Sequence, residues 1–176
     1  MDKNKGTPMK VIKSQFESNK KLYILRGPSG TGKSTLAEKL GAEAVFSADN
    51  YFMQGDKYVF NPSKLSSAHG QCQAKTKDAL RKGISPVAVD NTFTTRKEIT
   101  PYMQLAQAYG YAVEFIEPDW DEQLRHPDGT WNVDRIVELQ KNPDRVKMNK
   151  SLNKEIVERM VNRYQYGLKP DDFYSE

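Results

Sequence analysis

The chain has 176 residues, 37% of them hydrophobic and 28% charged, with a single cysteine. That length suits one domain with its own core, the lone Cys72 excludes a disulfide framework or a cysteine-rich zinc site, and no apolar run nears the roughly 20 residues that span a bilayer. The formal charge of +4 resides in residues 1–21, where six lysines face Asp2 and Glu17; this start lacks the apolar stretch of a secretory signal, so a reducing cytoplasm is the expected location.

In chain order, residues 1–21 read as a basic arm, either a solvated tail or an electrostatic tether for nucleic acid. Residues 22–176 read as one domain. Leu22 to Leu25 is a short apolar strand followed by a glycine-rich turn, and helical residues run from Lys33 to about Leu40. A second strand centres on Val45 and Phe46, and a loop covers Asp49 to Asn61. Asn61 and Pro62 then open a long helix as cap and first residue. Its stripe of Leu65, Ala68, Cys72, Thr76, Ala79 and Leu80 has 3–4 spacing, and Gly83 stops it. Pro86 to Asp90 is a buried strand ending on an acid. Residues 96–109 form a helix closed by Gly110, and Tyr111 to Glu117 a further strand. Residues 121–150 are polar with helical pieces. Residues 153–166 form a last amphipathic helix. Strands alternating with helices predict a three-layer α/β fold on a parallel sheet of four or five strands.

Gly27-Pro28-Ser29-Gly30-Thr31-Gly32-Lys33-Ser34 fits G-x-x-x-x-G-K-[ST] in full, after a strand and at a helix start. Such a loop turns backbone N–H groups toward phosphates, and the helix end adds a favourable dipole. Gly27 through Thr35 are therefore the expected ATP-binding residues, with Lys33 on the β- and γ-phosphates and the Ser34 hydroxyl on Mg²⁺. Asp90, ending the Val87–Val89 strand, is the expected second metal-side residue, its other reading being a turn cap.

A full oligomeric AAA motor with its lid domain needs a longer chain and an acidic pair after that strand, where Asp90 is followed by Asn91. A small kinase instead needs a second acid to take the proton of the attacking hydroxyl. Asp49, after the second strand, is the expected base, and a turn aspartate is its alternative reading. Arg96 and Lys97 are placed to meet an acceptor phosphate or to lie solvated on a first helical turn. Tyr51, Phe52, Tyr58 and Phe60 gather near Asp49, for stacking a base or for core packing. His69, beside the helix stripe, reads as a buried hydrogen-bonded histidine ahead of a cleft residue. Cys72 reads as inert core. The acidic stretch from Trp120 to Trp131 has no assigned role.

The P-loop together with Ser47-Ala48-Asp49-Asn50-Tyr51-Phe52, Tyr58-Val59-Phe60-Asn61-Pro62, Val89-Asp90-Asn91-Thr92 and Tyr111-Ala112-Val113-Glu114-Phe115 resembles the polynucleotide-kinase-like P-loop kinases. These include the phage 5′-polynucleotide kinase domain and the kinase domain of animal Nedd-ligase-binding proteins. The resemblance covers about residues 22–166 and implies an adenylate-kinase-like P-loop NTPase fold with a basic lid. It implies that Lys33 and Ser34 bind ATP and Mg²⁺, that Asp49 is the general base, and that Asp90 lies near the metal or the acceptor phosphate. It places the start of the lid at Val146 to Lys150. Met148 stands where the family has a lid arginine, so charge stabilisation falls to Arg145, Lys147, Lys150 or Arg135. Phe52 replaces the arginine three residues after the base, and Phe93 replaces a second asparagine.

The expected activity is phosphoryl transfer from ATP to a hydroxyl on nucleic acid, DNA ahead of RNA. The acceptor is either a 5′-OH or the hydroxymethyl group of a base such as 5-hydroxymethyluracil, with Lys33, Asp49 and Arg145 catalytic. Asp49, Tyr51 and Arg96 would bind the acceptor, and Lys147 and Lys150 would serve the lid. A nucleoside or small-metabolite kinase and a non-catalytic ATP-binding module are the competing readings. No membrane partner is expected, and the resemblance points to a phage or bacterial source.

Overall fold

The computed structural model describes residues 9–174. Five strands form the main sheet: β1 (Met9–Lys13), β2 (Lys21–Leu25), β3 (Ala44–Phe46), β6 (Val87–Asp90) and β7 (Ala112–Pro118). Their order is β1-β7-β2-β6-β3. The pairs β2–β6, β2–β7 and β3–β6 are parallel, whereas β1 runs antiparallel to β7. Strands β4 (Met53–Gln54) and β5 (Lys57–Tyr58) form a separate hairpin.

Among the described residues, α1 (Lys33–Lys39), α2 (Leu65–Arg81) and α3 (Arg96–Tyr109) lie between strands, and α4 (Val133–Leu139), α5 (Pro143–Lys147) and α6 (Lys154–Asn162) follow β7. The α3 boundaries follow from local chemistry, since Gly110 ends it in the left-handed region at φ 73°. The chain enters α2 through a 3₁₀ turn, Pro62–Lys64, where the Asn61 side chain accepts from the Ser63 N–H. On one sheet face, Leu22, Ile24, Val87 and Val113 pack with Leu80, Ile99 and Met103. On the other, Tyr23, Leu25, Ala88 and Ile116 meet Leu36 and Ala37 of α1. Apolar residues on both faces of β2 and β6 are what a covered parallel sheet requires.

Three expectations change. From Met9 onward the segment expected to be an arm is the edge strand β1, with Ile12 half-buried against the core and Lys10 paired to Glu117 at 3.9 Å. Without it, β7 would leave its backbone groups unpaired on that edge; the arm expectation for residues 1–8 falls outside the described residues. The last helix ends at Asn162, not 166, which frees Tyr164 to reach inward and donate to the Glu117 carboxylate. The stretch from Trp120 to Trp131 also acquires a role: Leu124 and Trp131 form a third core with Ile136, Val157 and Tyr164, beneath α4 and α6. No helix among the described residues is long and apolar enough to cross a membrane.

Candidate active site

The sheet places the site at the C-terminal ends of its parallel strands. Leu25, two residues before Gly27 of the turn, pairs with Asp90 across β2 and β6. Gly30 and Gly32 hold φ of 85° and 91°, which a residue with a side chain rarely adopts. The loop is also tightly covered: a Cβ on Gly30 would lie 2.7 Å from Gln140 Nε2 and 3.1 Å from Arg145 Nε, and one on Gly32 would lie 3.2 Å from Trp120 Nε1. Lys33 is buried and donates to the carbonyls of Gly27 (3.0 Å) and Pro28 (3.1 Å), with Asp90 Oδ1 4.0 Å away. Burial pulls the Lys33 ammonium down and the nearby Asp90 charge pushes back. Burial likewise raises the Asp90 carboxyl, against Lys33.

Asp49 sits on a 3₁₀ turn, Ala48–Phe52, whose start is fixed twice. Ser47 Oγ accepts from the Asp49 N–H, and Asn91 Oδ1 accepts from the Ala48 N–H at 2.9 Å. The carboxylate has a partner on each oxygen: the Tyr58 hydroxyl donates to Oδ1 at 3.3 Å, and Lys150 Nζ lies 3.4 Å from Oδ2. Burial, then the Asp49 charge, raises the Tyr58 phenol far above its usual range. Arg145 donates from Nε to Gln140 Oε1 (3.1 Å) and from Nη2 to the Lys150 carbonyl (2.8 Å). Gln140 in turn donates to the Ser29 carbonyl, and the Met160 thioether accepts from the Ser29 N–H. Burial lowers the Arg145 guanidinium, offset by Asp49.

One cavity of about 380 Å³ joins Lys33, Ser34, Asp49, Asp90, Arg145 and Lys150. A second, about 730 Å³, shares Lys33, Asp49, Asp90 and Lys150 and extends along Phe52, Tyr58, Phe60, His69 and Arg163. The exposed Thr35 is the next residue of α1, outside both linings. Ser34 and Asp90 offer hard oxygen donors in one cavity, a fit for Mg²⁺ that takes its remaining ligands from phosphates and water. Among the described residues there is no protein-only cluster of three or more His, Cys, Asp or Glu for a metal.

Gly27, Pro28 and Thr31 of the expected ATP loop, like Thr35, line neither cavity, and three further expected site residues lie elsewhere. Arg96 donates to the Asp172 carbonyl and stacks over the Phe173 ring, 4.5 Å from its centroid. Tyr51 packs edge-on against Phe52 but lines neither cavity. Lys147 contributes its carbonyl to Lys57 Nζ (2.6 Å), and its side chain lines neither cavity. Arg135 is bound to Asp121 at 2.6 Å, which leaves Arg145 and Lys150 as the cations beside the P-loop. His69 is half-buried and lines the second cavity. Cys72 is buried core, with Asn91 Nδ2 3.7 Å from its sulfur.

Gln140, Met160 and Asn91 were not read from sequence as site residues. Neither was Arg26, buried to 1% exposure, which donates twice to the Phe93 carbonyl and once to that of Gln165. Phe93 needs that hold, since its φ is 46°.

A glycine loop on the central strand, a buried lysine above it and an acid on the neighbouring strand define a P-loop nucleotide-binding domain. Residues 22–126 match a family described as AAA domain, and the chain belongs to that family, in its polynucleotide-kinase-like part. Human NEDD4-binding protein 2 is 34% identical over 148 residues, covering 82% of this chain and 8% of that protein. Mouse 2′,3′-cyclic-nucleotide 3′-phosphodiesterase is 32% identical over 106 residues, covering 56% of this chain and 24% of that one. The chain thus spans under a quarter of either relative. A chain of the Pnkp1/Rnl/Hen1 RNA repair complex shares the fold at a TM-score of 0.59 and 18% identity, covering 92% of this chain and 48% of that one.

Proposed function

We propose that the protein transfers the γ-phosphoryl group of ATP to a hydroxyl on nucleic acid, a 5′-OH or the hydroxymethyl group of a modified base. The observation that carries this reading is the placement of Asp49 in the same cavity as Lys33, Ser34 and Asp90. A transferase needs an acid to take the proton of its acceptor hydroxyl, whereas a hydrolysing motor carries its water-activating acid directly after the strand-end aspartate. Asn91 in place of a second acid supports the same choice. Lys33 would hold the β- and γ-phosphates, with the backbone N–H groups of the glycine loop as their other donors. Mg²⁺ held by Ser34 and Asp90 would supply charge neutralisation between those phosphates. Arg145 and Lys150 meet the charge that develops on the transferred group, and Asp49 takes the hydroxyl proton. Loose phosphoryl transfer is served mainly by positioning and electrostatics.

The test is γ-labelled ATP and Mg²⁺ with four acceptors: 5′-OH DNA, 5′-OH RNA, end-blocked DNA carrying hydroxymethyluracil, and free nucleosides. Label on a polymer, absent with Asp49→Asn, supports the reading, and end or internal label selects the hydroxyl. Label on nucleosides alone moves the protein to small-molecule metabolism. ATP binding without label on any acceptor sinks the transferase.

A further inference from the structure

The second cavity contains a feature that core packing does not explain. Phe52 is buried to 4% exposure and meets Tyr58 and Phe60 edge-on, at 5.8 and 5.0 Å between centroids. That ring is ordinary core. Phe60 is not: it is 48% exposed, and Leu65 beside the same cavity is 43% exposed. The Phe60 and Tyr58 planes lie within 9° of parallel at 6.1 Å, so they form a flat two-ring step. The cavity this step lines also contains Asp49, and Tyr58 joins the two directly by donating to that carboxylate. A half-exposed ring costs solvation in the free protein and is a platform for another flat ring.

We infer that the Phe60–Tyr58 step binds an unpaired nucleobase of the acceptor, seating the nucleotide whose hydroxyl is presented to Asp49. This rests on the proposed function and narrows it: the acceptor is a nucleotide with its base out of a helical stack, single-stranded or flipped. A base inside a duplex has both faces covered and cannot use the step. Stacking is tolerant of base identity because every base has a π-face. The site therefore selects for an exposed ring rather than for a sequence. The cavity of about 730 Å³ accommodates a nucleotide.

The test pairs Phe60→Ala and Phe60→Trp with two single-stranded 5′-OH oligonucleotides, one with a normal terminal nucleotide and one with a terminal abasic sugar. Phe60→Ala should raise KM for the base-bearing acceptor about tenfold more than for the abasic one, with the KM for ATP unchanged. Phe60→Trp should restore the difference. An equal rise for both acceptors, or none, overturns the stacking. A direct arm needs no turnover: 2-aminopurine at the 5′ end should be quenched on binding and lose that quench with Phe60→Ala. If wild type labels neither oligonucleotide, the 5′-OH acceptor is excluded and the transferase reading rests on the hydroxymethyl acceptor, while the quench alone still decides the platform: quenching supports it, and its absence overturns it.

Discussion

Lys150 Nζ lies 3.4 Å from Asp49 Oδ2, so the segment that follows α5 ends directly on the carboxylate assigned to proton transfer. Its backbone carbonyl meanwhile accepts from Arg145. Asp49→Asn keeps the shape and removes the basicity, so turnover should fall about 10²- to 10⁴-fold while ATP affinity stays within twofold. Lys150→Met should lower kcat more than it raises the KM for ATP. Steady-state kinetics with labelled ATP reads both, and full turnover in Asp49→Asn would remove Asp49 from the chemistry.

Gly30→Ala places a methyl group 2.7 Å from Gln140 Nε2 at a φ of 85°. Gln140 would have to release the Ser29 carbonyl and Arg145 would shift with it. A loss of about 1–3 kcal/mol is expected in stability, together with weaker ATP binding. Thermal melts with and without ATP separate the two effects. Gly41→Ala, whose Cβ meets nothing within 4 Å, is the control for positive φ alone, here 70°.

Trp120 is 39% exposed and donates its indole N–H to the Thr31 carbonyl at 2.8 Å. It reports on the loop it is bound to, whereas Trp131 is buried in the third core. ATP should change the tryptophan emission of the wild type, and Trp120→Phe should abolish that change at a stability cost of about 1 kcal/mol. An undiminished signal in the variant would place the reporter at Trp131.

Arg26→Met leaves the Phe93 carbonyl without its two guanidinium donors and that of Gln165 without one. Unpaired buried carbonyls cost about 1–3 kcal/mol each, so a loss of about 2–4 kcal/mol is expected by urea unfolding. Arg26→Lys should recover only part of it, because an ammonium lacks the planar fork. Equal stability of the Lys variant and the wild type would show that charge alone suffices.

Burial first, then the Glu117 charge, holds the Tyr164 phenol well above the ordinary 10.0. The folded chain therefore keeps this proton at pH values where the unfolded chain releases it. Stability attributable to the site is complete below the unfolded value and is lost as pH rises from there toward the folded one. The slope is about 1.4 kcal/mol per pH unit for each such proton. Tyr58 and Tyr102 add in the same direction. Urea unfolding from about pH 9 to 11 should show stability falling, and Tyr164→Phe should flatten the fall by up to one proton. An unchanged slope in that variant would mean that Tyr164 ionises alike in both states.

Signals made by neighbours in sequence were legible. The P-loop, the Asn61 cap and the Gly110 stop each combine a residue type with a backbone need that acts over a few positions. The structure brings Lys33, Ser34, Asp49, Asp90, Arg145 and Lys150 to one cavity. Strand β1 was hidden because Lys10 and Lys13 interrupt its apolar residues, and its reason to exist is the bare edge of β7. Arg96 and Tyr51 show the complementary limit: a motif gives a position along the chain, not the direction in which the side chain leaves it. Gln140 and Met160 reach Ser29 across 111 and 131 residues of sequence, with no local pattern to announce them.

The hairpin formed by β4 and β5 is sewn to the end of α5 and the residues just after it at three points. The Tyr58 N–H donates to the Met148 carbonyl, Asn149 Nδ2 to the Tyr58 carbonyl, and Lys57 Nζ to the Lys147 carbonyl. Lys150 and the Tyr58 ring thus hang from a single clasp, and both meet the Asp49 carboxylate. Two ligands that pull on one clasp are bound by reciprocity. Whatever factor a nucleotide lends to the affinity for the acceptor, the acceptor returns in full to the nucleotide.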